Sequence, residues 1–242
     1  MTVYTPDGRM KFTYAGITHA AYDHDGHLFT IADSGLRLLK FDENYTLVQS
    51  VPLTFGHAVG VSDSGTVYVL GNGMMRVYSP DLVLRSAFEF PNQFPETVDV
   101  LADDCTVLSF SYSWPVYRFD VCSKRVIPTP REVFEVAAAL NDGGYIAIAG
   151  RDYKFFDPNG KYVRLLQRVA SFVLALAFDP DPHFLWLLTA QGLQKIEIST
   201  GDLVQTLPLS GGDSFAIAGE TRPSSTDILV KGRREAVRHP RH

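Results

Sequence analysis

Short apolar runs, broken by turns rich in Gly, Asp, Asn and Ser, recur in groups of four along most of this chain. The first group covers residues 18–23, 27–32, 36–42 and 46–53; the second covers 58–62, 66–70, 75–79 and 82–90. A third group follows at 97–102, 106–111, 116–120 and, poorly, 125–129; a fourth at 136–140, 145–149, 153–157 and 162–168. The fifth is 173–178, 184–188, 193–198 and 202–209. Val, Ile, Leu, Tyr and Phe fill the runs, which predicts strands and hairpins, with no helical period of comparable strength. Many runs are apolar at consecutive positions, as expected of sheets covered on both faces.

The turns carry a signature of their own. Thr5-Pro6-Asp7-Gly8, Phe41-Asp42-Glu43-Asn44, Ser79-Pro80-Asp81, Phe119-Asp120, Phe156-Asp157-Pro158-Asn159-Gly160 and Ile198-Ser199-Thr200-Gly201 share it. Their centres are separated by 36, 38, 40, 38 and 42 residues. A period of that size marks a stacked or circular repeat. Runs at 3–5 and 9–14 supply half a unit at the start of the chain, and runs at 214–219 and 227–231 supply the other half at its end. A solenoid would leave each half with a bare edge. The sequence therefore predicts an all-β, six-bladed β-propeller closed by pairing its N-terminal and C-terminal half-blades. In a competing register, residues 235–239 supply the third strand of the last blade. The innermost strands are rich in small residues, Ala20-Ala21, Ala58 with Gly60, Ala137-Ala138-Ala139, Ala175 with Ala177 and Ala216 with Ala218, as suits strands crowded round an axis. Residues 1–232 form the expected propeller domain and residues 233–242 a basic tail.

Residues 23–35, Asp-His-Asp-Gly-His-Leu-Phe-Thr-Ile-Ala-Asp-Ser-Gly, with Arg37 and Lys40-Phe41-Asp42, resemble an NHL-type repeat, and Pro6-Asp7-Gly8-Arg9 and Asp157-Pro158-Asn159-Gly160-Lys161 resemble its outer turn. WD-repeat propellers fit less well, because no Trp-Asp dipeptide occurs. The resemblance implies a six-bladed scaffold whose members include protein-binding and RNA-binding modules and, less often, metal-dependent enzymes. Fold alone does not choose among these.

Charge narrows the field. The 242-residue chain carries a net charge of −5 and has a pI near 5.8, so it lacks the general phosphate-neutralising charge of a nucleic-acid binder. The exception is the tail region, with Lys231, Arg233, Arg234, Arg238 and Arg241, which reads as solvated chain or as an arm for an anionic partner. No apolar run approaches the roughly 18 residues of a membrane span. No signal peptide is evident at the start, so a cytoplasmic, monomeric protein without membrane contact is expected.

In a propeller, the loops joining strands two and three share one rim with the loops leading into the next blade. That places Asp33, Asn72, Tyr112, Trp114, Arg151 and Asp152 with His19 and His57 round one mouth of the ring, and Tyr153 beside them. Irregular aromatic loops on a rigid scaffold suit a protein or peptide ligand. We therefore expect a non-catalytic interaction module with no obligatory cofactor, contacting its partner through Tyr112, Trp114, Arg151, Asp152, Tyr153, His19 and His57. The alternative draws on propeller enzymes that resemble gluconolactonases. There Asp33, Asn72 and Asp99, with Asp152, would hold a divalent cation such as Ca2+ in the channel for a hydrolase or lactonase, with His19 or His57 as base. Against it, Asp and Asn are ordinary turn residues. Asp99, a carboxylate inside an innermost strand, needs a partner wherever it points.

Two further patterns stay open. Phe55, Phe94, Phe134, Phe172 and Phe215, with Ile17 in the first unit, recur where each unit begins and read as inter-blade packing rather than a stacking collar. Cys105 and Cys122 fall at neighbouring turns of the third unit, with residue 105 registering opposite 121, one step off; reduced thiols and a disulfide are both compatible.

Overall fold

The structure, a computed structural model, describes residues 2–4, 10–91, 95, 97–101, 104–111, 116–127, 129, 134, 136–140, 142–149, 152–168 and 173–208. Twenty-two strands form one two-stranded and five four-stranded antiparallel sheets. The hairpin of β1 (Thr2–Tyr4) and β2 (Met10–Thr13) comes first. The first blade is β3 (Ile17–Tyr22), β4 (Leu28–Ala32), β5 (Arg37–Phe41) and β6 (Leu47–Pro52). The second is β7 (Ala58–Val61), β8 (Val67–Gly71), β9 (Met74–Tyr78) and β10 (Leu84–Glu89). The third is β11 (Thr97–Val100), β12 (Thr106–Phe110), β13 (Tyr117–Asp120) and β14 (Arg125–Ile127). The fourth is β15 (Val136–Ala139), β16 (Tyr145–Ala149), β17 (Asp152–Phe156) and β18 (Tyr162–Arg168). The fifth is β19 (Val173–Phe178), β20 (Phe184–Thr189), β21 (Gly192–Glu197) and β22 (Leu203–Leu207).

The fold is a β-propeller, and the predicted blade count needs correction: the described residues form five blades, not six. The difference concerns the hairpin at the start of the chain. Among the described residues that hairpin is a sheet of two strands paired to each other. It lies against the first blade, where Phe12 stacks on Tyr45 with ring centroids 5.0 Å apart and meets Phe41 edge-on at 5.4 Å. The runs at 214–219 and 227–231 and the basic tail lie outside the described residues.

Each blade boundary is an apolar layer, and consecutive residues of one strand serve opposite layers. Phe29 and Ile31 of β4 pack with Val59, Val61 and Val69 of the second blade, whereas Leu28 packs with Leu39, Phe41 and the hairpin's Phe12. The same division continues with Tyr68 and Phe119 between the second and third blades, Leu108 and Tyr145 between the third and fourth, and Ile146 and Leu187 between the fourth and fifth. Fully burying each such side chain stabilises by roughly 1.5–3 kcal/mol, so consecutive apolar positions are what the architecture demands. Crowding at the axis explains the small residues: a Cβ on Gly60 would lie 2.8 Å from the Val98 carbonyl oxygen of the next blade.

The recurring acidic turn has a direct cause. Asp42 Oδ1 accepts from the backbone N–H of Asn44 at 2.9 Å and of Thr46 at 2.8 Å, and Asp157 Oδ1 accepts from Asn159 and Lys161, both at 2.9 Å. Ser79 Oγ takes the same role toward Val83 N at 3.1 Å. Side-chain acceptors that satisfy turn N–H groups favour Asp, Asn and Ser at such positions. No helix among the described residues is long and apolar enough to cross a membrane.

Candidate functional site

The rim opposite these acidic turns holds Asp33, His57 and Asn72 among the predicted site residues. Its best-defined part is the junction of the first two blades. A single 3-10 turn, Asp33–Gly35, follows β4, and Asp33, Ser34 and Gly35 all have positive φ, at 53°, 57° and 91°. That kink brings the turn against the loop leading into the second blade. Gly56 N donates to Gly35 O at 2.7 Å, Leu53 N to Leu36 O at 2.8 Å, and His57 N to Leu70 O at 2.7 Å. The approach requires glycine: a Cβ on Gly35 would lie 2.5 Å from Gly56 O, and one on Gly71 would lie 2.3 Å from Phe55 O. The result is a backbone-locked platform carrying two outward apolar side chains, Leu36 at 51% and Phe55 at 37% exposure. Arg37 is held by Ser50 Oγ, at 2.6 Å from its terminal nitrogen, and lies 3.7 Å from Asp33. Arg76 donates to Phe55 O at 3.5 Å.

His57 belongs to this platform. Its ring meets Phe55 edge-on, centroids 4.7 Å apart, and burial holds its pKa below the usual imidazole value, favouring the neutral ring. Asn72 forms the two-residue turn of the β8–β9 hairpin with Gly73, at φ 53° and 69°, as an Asn-Gly hairpin turn does. Asp33 is exposed at the same rim.

Other candidates sit deeper. His19 Nδ1 accepts from Val59 N at 3.4 Å, and Asp99 Oδ2 accepts from Ala139 N at 2.7 Å, so both side chains bind the backbone of the next blade's inner strand. Asp152 opens β17, half-buried, and Tyr153 beside it is 4% exposed within the layer between the fourth and fifth blades. Burial pushes the Tyr153 hydroxyl's pKa far above the usual phenol range, which keeps it protonated. Tyr112, Trp114 and Arg151 lie outside the described residues.

The structure thus gathers Asp33, His57 and Asn72 at one platform and places His19, Asp99 and Tyr153 within the packing. Sequence reasoning passed over Leu36, Arg37 and Arg76; an apolar residue just after a left-handed glycine was the signal for the first. The recurrent aromatic position splits. Phe134 is buried, edge-on to Phe156 at 5.3 Å, and Ile17 packs against the first blade's core, whereas Phe55 faces outward. Phe94, Phe172 and Phe215 lie outside the described residues. Cys105 and Cys122 form a disulfide. They complete, with Asp120, the one group of three His, Cys, Asp or Glu side chains among the described residues whose ligand atoms are close enough to share an ion.

No family model matches the chain, and no curated protein matches it. Among solved structures it is similar to Kuenenia stuttgartiensis hydrazine synthase, with a TM-score of 0.61 and 16% identity over 86% of this chain and 70% of that one. At that identity the likeness shows the propeller fold alone.

Proposed function

We propose that this propeller is a non-catalytic interaction module that binds a protein or peptide at the rim carrying Leu36, Phe55 and His57. The observation that carries the reading is the pairing of outward apolar side chains with a backbone held by Gly35, Gly56 and Gly71. A surface already fixed in its binding geometry loses little conformational entropy when a ligand docks. Arg37 and Arg76 beside it favour a ligand with an apolar anchor next to a carboxylate. The hydrolase alternative asks Asp33, Asn72 and Asp99 to converge on one ion. The hydrogen bond from Ala139 N to Asp99, and the turn role of Asn72, favour structural duties for two of the three.

The test is a peptide-display selection on the purified protein, followed by affinity measurement for the selected peptide. Phe55→Ala and Leu36→Ser should each weaken binding tenfold or more, about 1.4 kcal/mol, with an unchanged melting temperature. Unchanged affinity in both variants overturns this location. Binding abolished by a chelator would instead support the metal-dependent alternative.

A further inference from the structure

On the other rim, away from the proposed peptide surface, we propose that the Cys105–Cys122 disulfide is the closed state of a cation site. When it is reduced, the two thiolates and the Asp120 carboxylate bind one thiophilic divalent cation such as Zn2+, with water in the fourth position. The topology brings the three together from two turns. The β11–β12 turn presents Cys105 and the β13–β14 turn presents Cys122, and Val121 N donates to Cys105 O at 2.7 Å, fixing one turn against the other. The Cα atoms of the cysteines lie 5.3 Å apart, and the ligand atoms of Cys105, Cys122 and Asp120 all lie within 4.8 Å of one another. Zinc bonds of about 2.3 Å to sulfur and 2.0–2.2 Å to oxygen put tetrahedral ligands roughly 3.3–3.8 Å apart, so side-chain rotation suffices to form the site.

Asp120 is already organised as an anionic ligand. Ser123 Oγ donates to its Oδ2 at 2.6 Å and Ser123 N to its Oδ1 at 2.9 Å, which orients the carboxylate. The Cys122 N–H also bonds this carboxylate, and three donors on about four acceptor sites leave one for a metal. Arg125 stands opposite Asp120 in the strand register and offsets the net charge of −1 that two thiolates and a carboxylate leave around a divalent ion. Cys122 is exposed and Cys105 half-buried, so a reductant has access to the bond.

The step balances with a dithiol as reductant. It delivers two electrons and two protons to the S–S bond and becomes a disulfide itself, leaving two protein thiols. Cation binding then displaces the two thiol protons. Reoxidation by a disulfide reverses both steps and expels the ion.

The experiment uses the full chain, reduced with a phosphine that does not compete for metal, and titrates Co2+ and then Zn2+ against a chromophoric chelator. Reduced protein should bind one equivalent, with the thiolate-to-cobalt absorption band, and oxidised protein none at this site. Asp120→Asn, which can still accept from Ser123 N, should weaken binding by at least the roughly tenfold that losing even a metal ligand's hydrogen-bond partner costs. Cys122→Ser should abolish the band. No stoichiometric uptake by the reduced chain, uptake that persists in Cys122→Ser, or Asp120→Asn binding as tightly as the parent would overturn the proposal. So would loss of the β-sheet circular dichroism on reduction, since the site depends on the two hairpins.

Discussion

The Lys40 ammonium crosses from the first blade to the Pro80 carbonyl of the second, 3.0 Å away, and 78 residues further on Arg118 reaches from the third blade to the Pro158 carbonyl of the fourth. Both cations occupy the same place in a third strand, and both prolines sit in the acidic outer turn. In the fifth blade Lys195 holds the corresponding place and pairs with Asp179 at 2.7 Å. At this position cations mark the odd-numbered blades, while Val77 and Phe155 stand there in the even-numbered ones. The propeller therefore carries a two-blade alternation on top of its single-blade repeat.

Lys40→Met keeps the side-chain length and removes the charge-assisted bond, leaving the Pro80 carbonyl without its donor. It should cost about 1–2 kcal/mol, read as a lower midpoint in urea unfolding with an unchanged slope. An unchanged midpoint would show that the Lys40 bond adds nothing to the joint between the blades.

Gly35→Ala should be more damaging than its size suggests. The new Cβ would lie 2.5 Å from Gly56 O, at a backbone φ of 91° that side-chain-bearing residues rarely adopt. Overpacking of this kind costs roughly 1–3 kcal/mol, and the left-handed conformation adds to it. The expected outcome is a lower melting temperature together with weaker peptide binding, because the platform itself shifts. A variant that melts like the parent would show that the two loops are not held by this contact.

Much of the architecture was legible because its causes are local. The acidic turns could be read because Asp42 and Asp157 satisfy backbone groups two and four residues away. Two-sided burial could be read because Leu28 and Phe29 are adjacent in the chain and face opposite layers. The blade count differed because a two-stranded hairpin, which is what the described residues show at the start of the chain, and half of a four-stranded sheet share one local pattern. Among the candidate site residues, the bond between Ala139 N and Asp99 spans 40 positions, and nothing near Asp99 announces its partner. Leu36 escaped, and Phe55 was read as packing, for a related reason: their exposure depends on how two distant loops dock. The disulfide was left open because register alone put residue 105 opposite 121, and side-chain reach closed the remaining step.

Asp179 should make the fifth blade acid-sensitive. Burial opposes its ionisation, but hydrogen bonds from Lys195, from Asp181 N and from Trp186 Nε1 at 2.6 Å outweigh burial and hold its carboxyl below the usual range. A carboxylate with a depressed folded pKa stabilises fully above its unfolded value, near pH 4, and that contribution is lost as pH falls through the folded value. Stability should therefore drop below about pH 4, and Asp179→Asn should flatten that part of the profile while lowering stability at neutral pH. Trp186 reports the event directly, because its indole N–H loses an anionic acceptor. In a Trp114→Phe background, fluorescence that stays constant from pH 6 to 2.5 would refute the assignment.

Tyr153 separates a packing role from a binding role. The sequence placed it among the binding residues; the structure buries it between two blades, with no partner for its hydroxyl among the described residues. A buried hydroxyl without a hydrogen bond carries a desolvation cost, so Tyr153→Phe should be neutral or stabilising, by up to about 1 kcal/mol. Peptide affinity should not change. Tyr153→Ala, in contrast, opens a cavity and should cost about 3–5 kcal/mol, as large aromatic truncations do. If Tyr153→Phe instead weakened peptide binding at full stability, the hydroxyl would be a ligand contact, and the binding surface would have to extend from the Phe55 platform to the fourth blade.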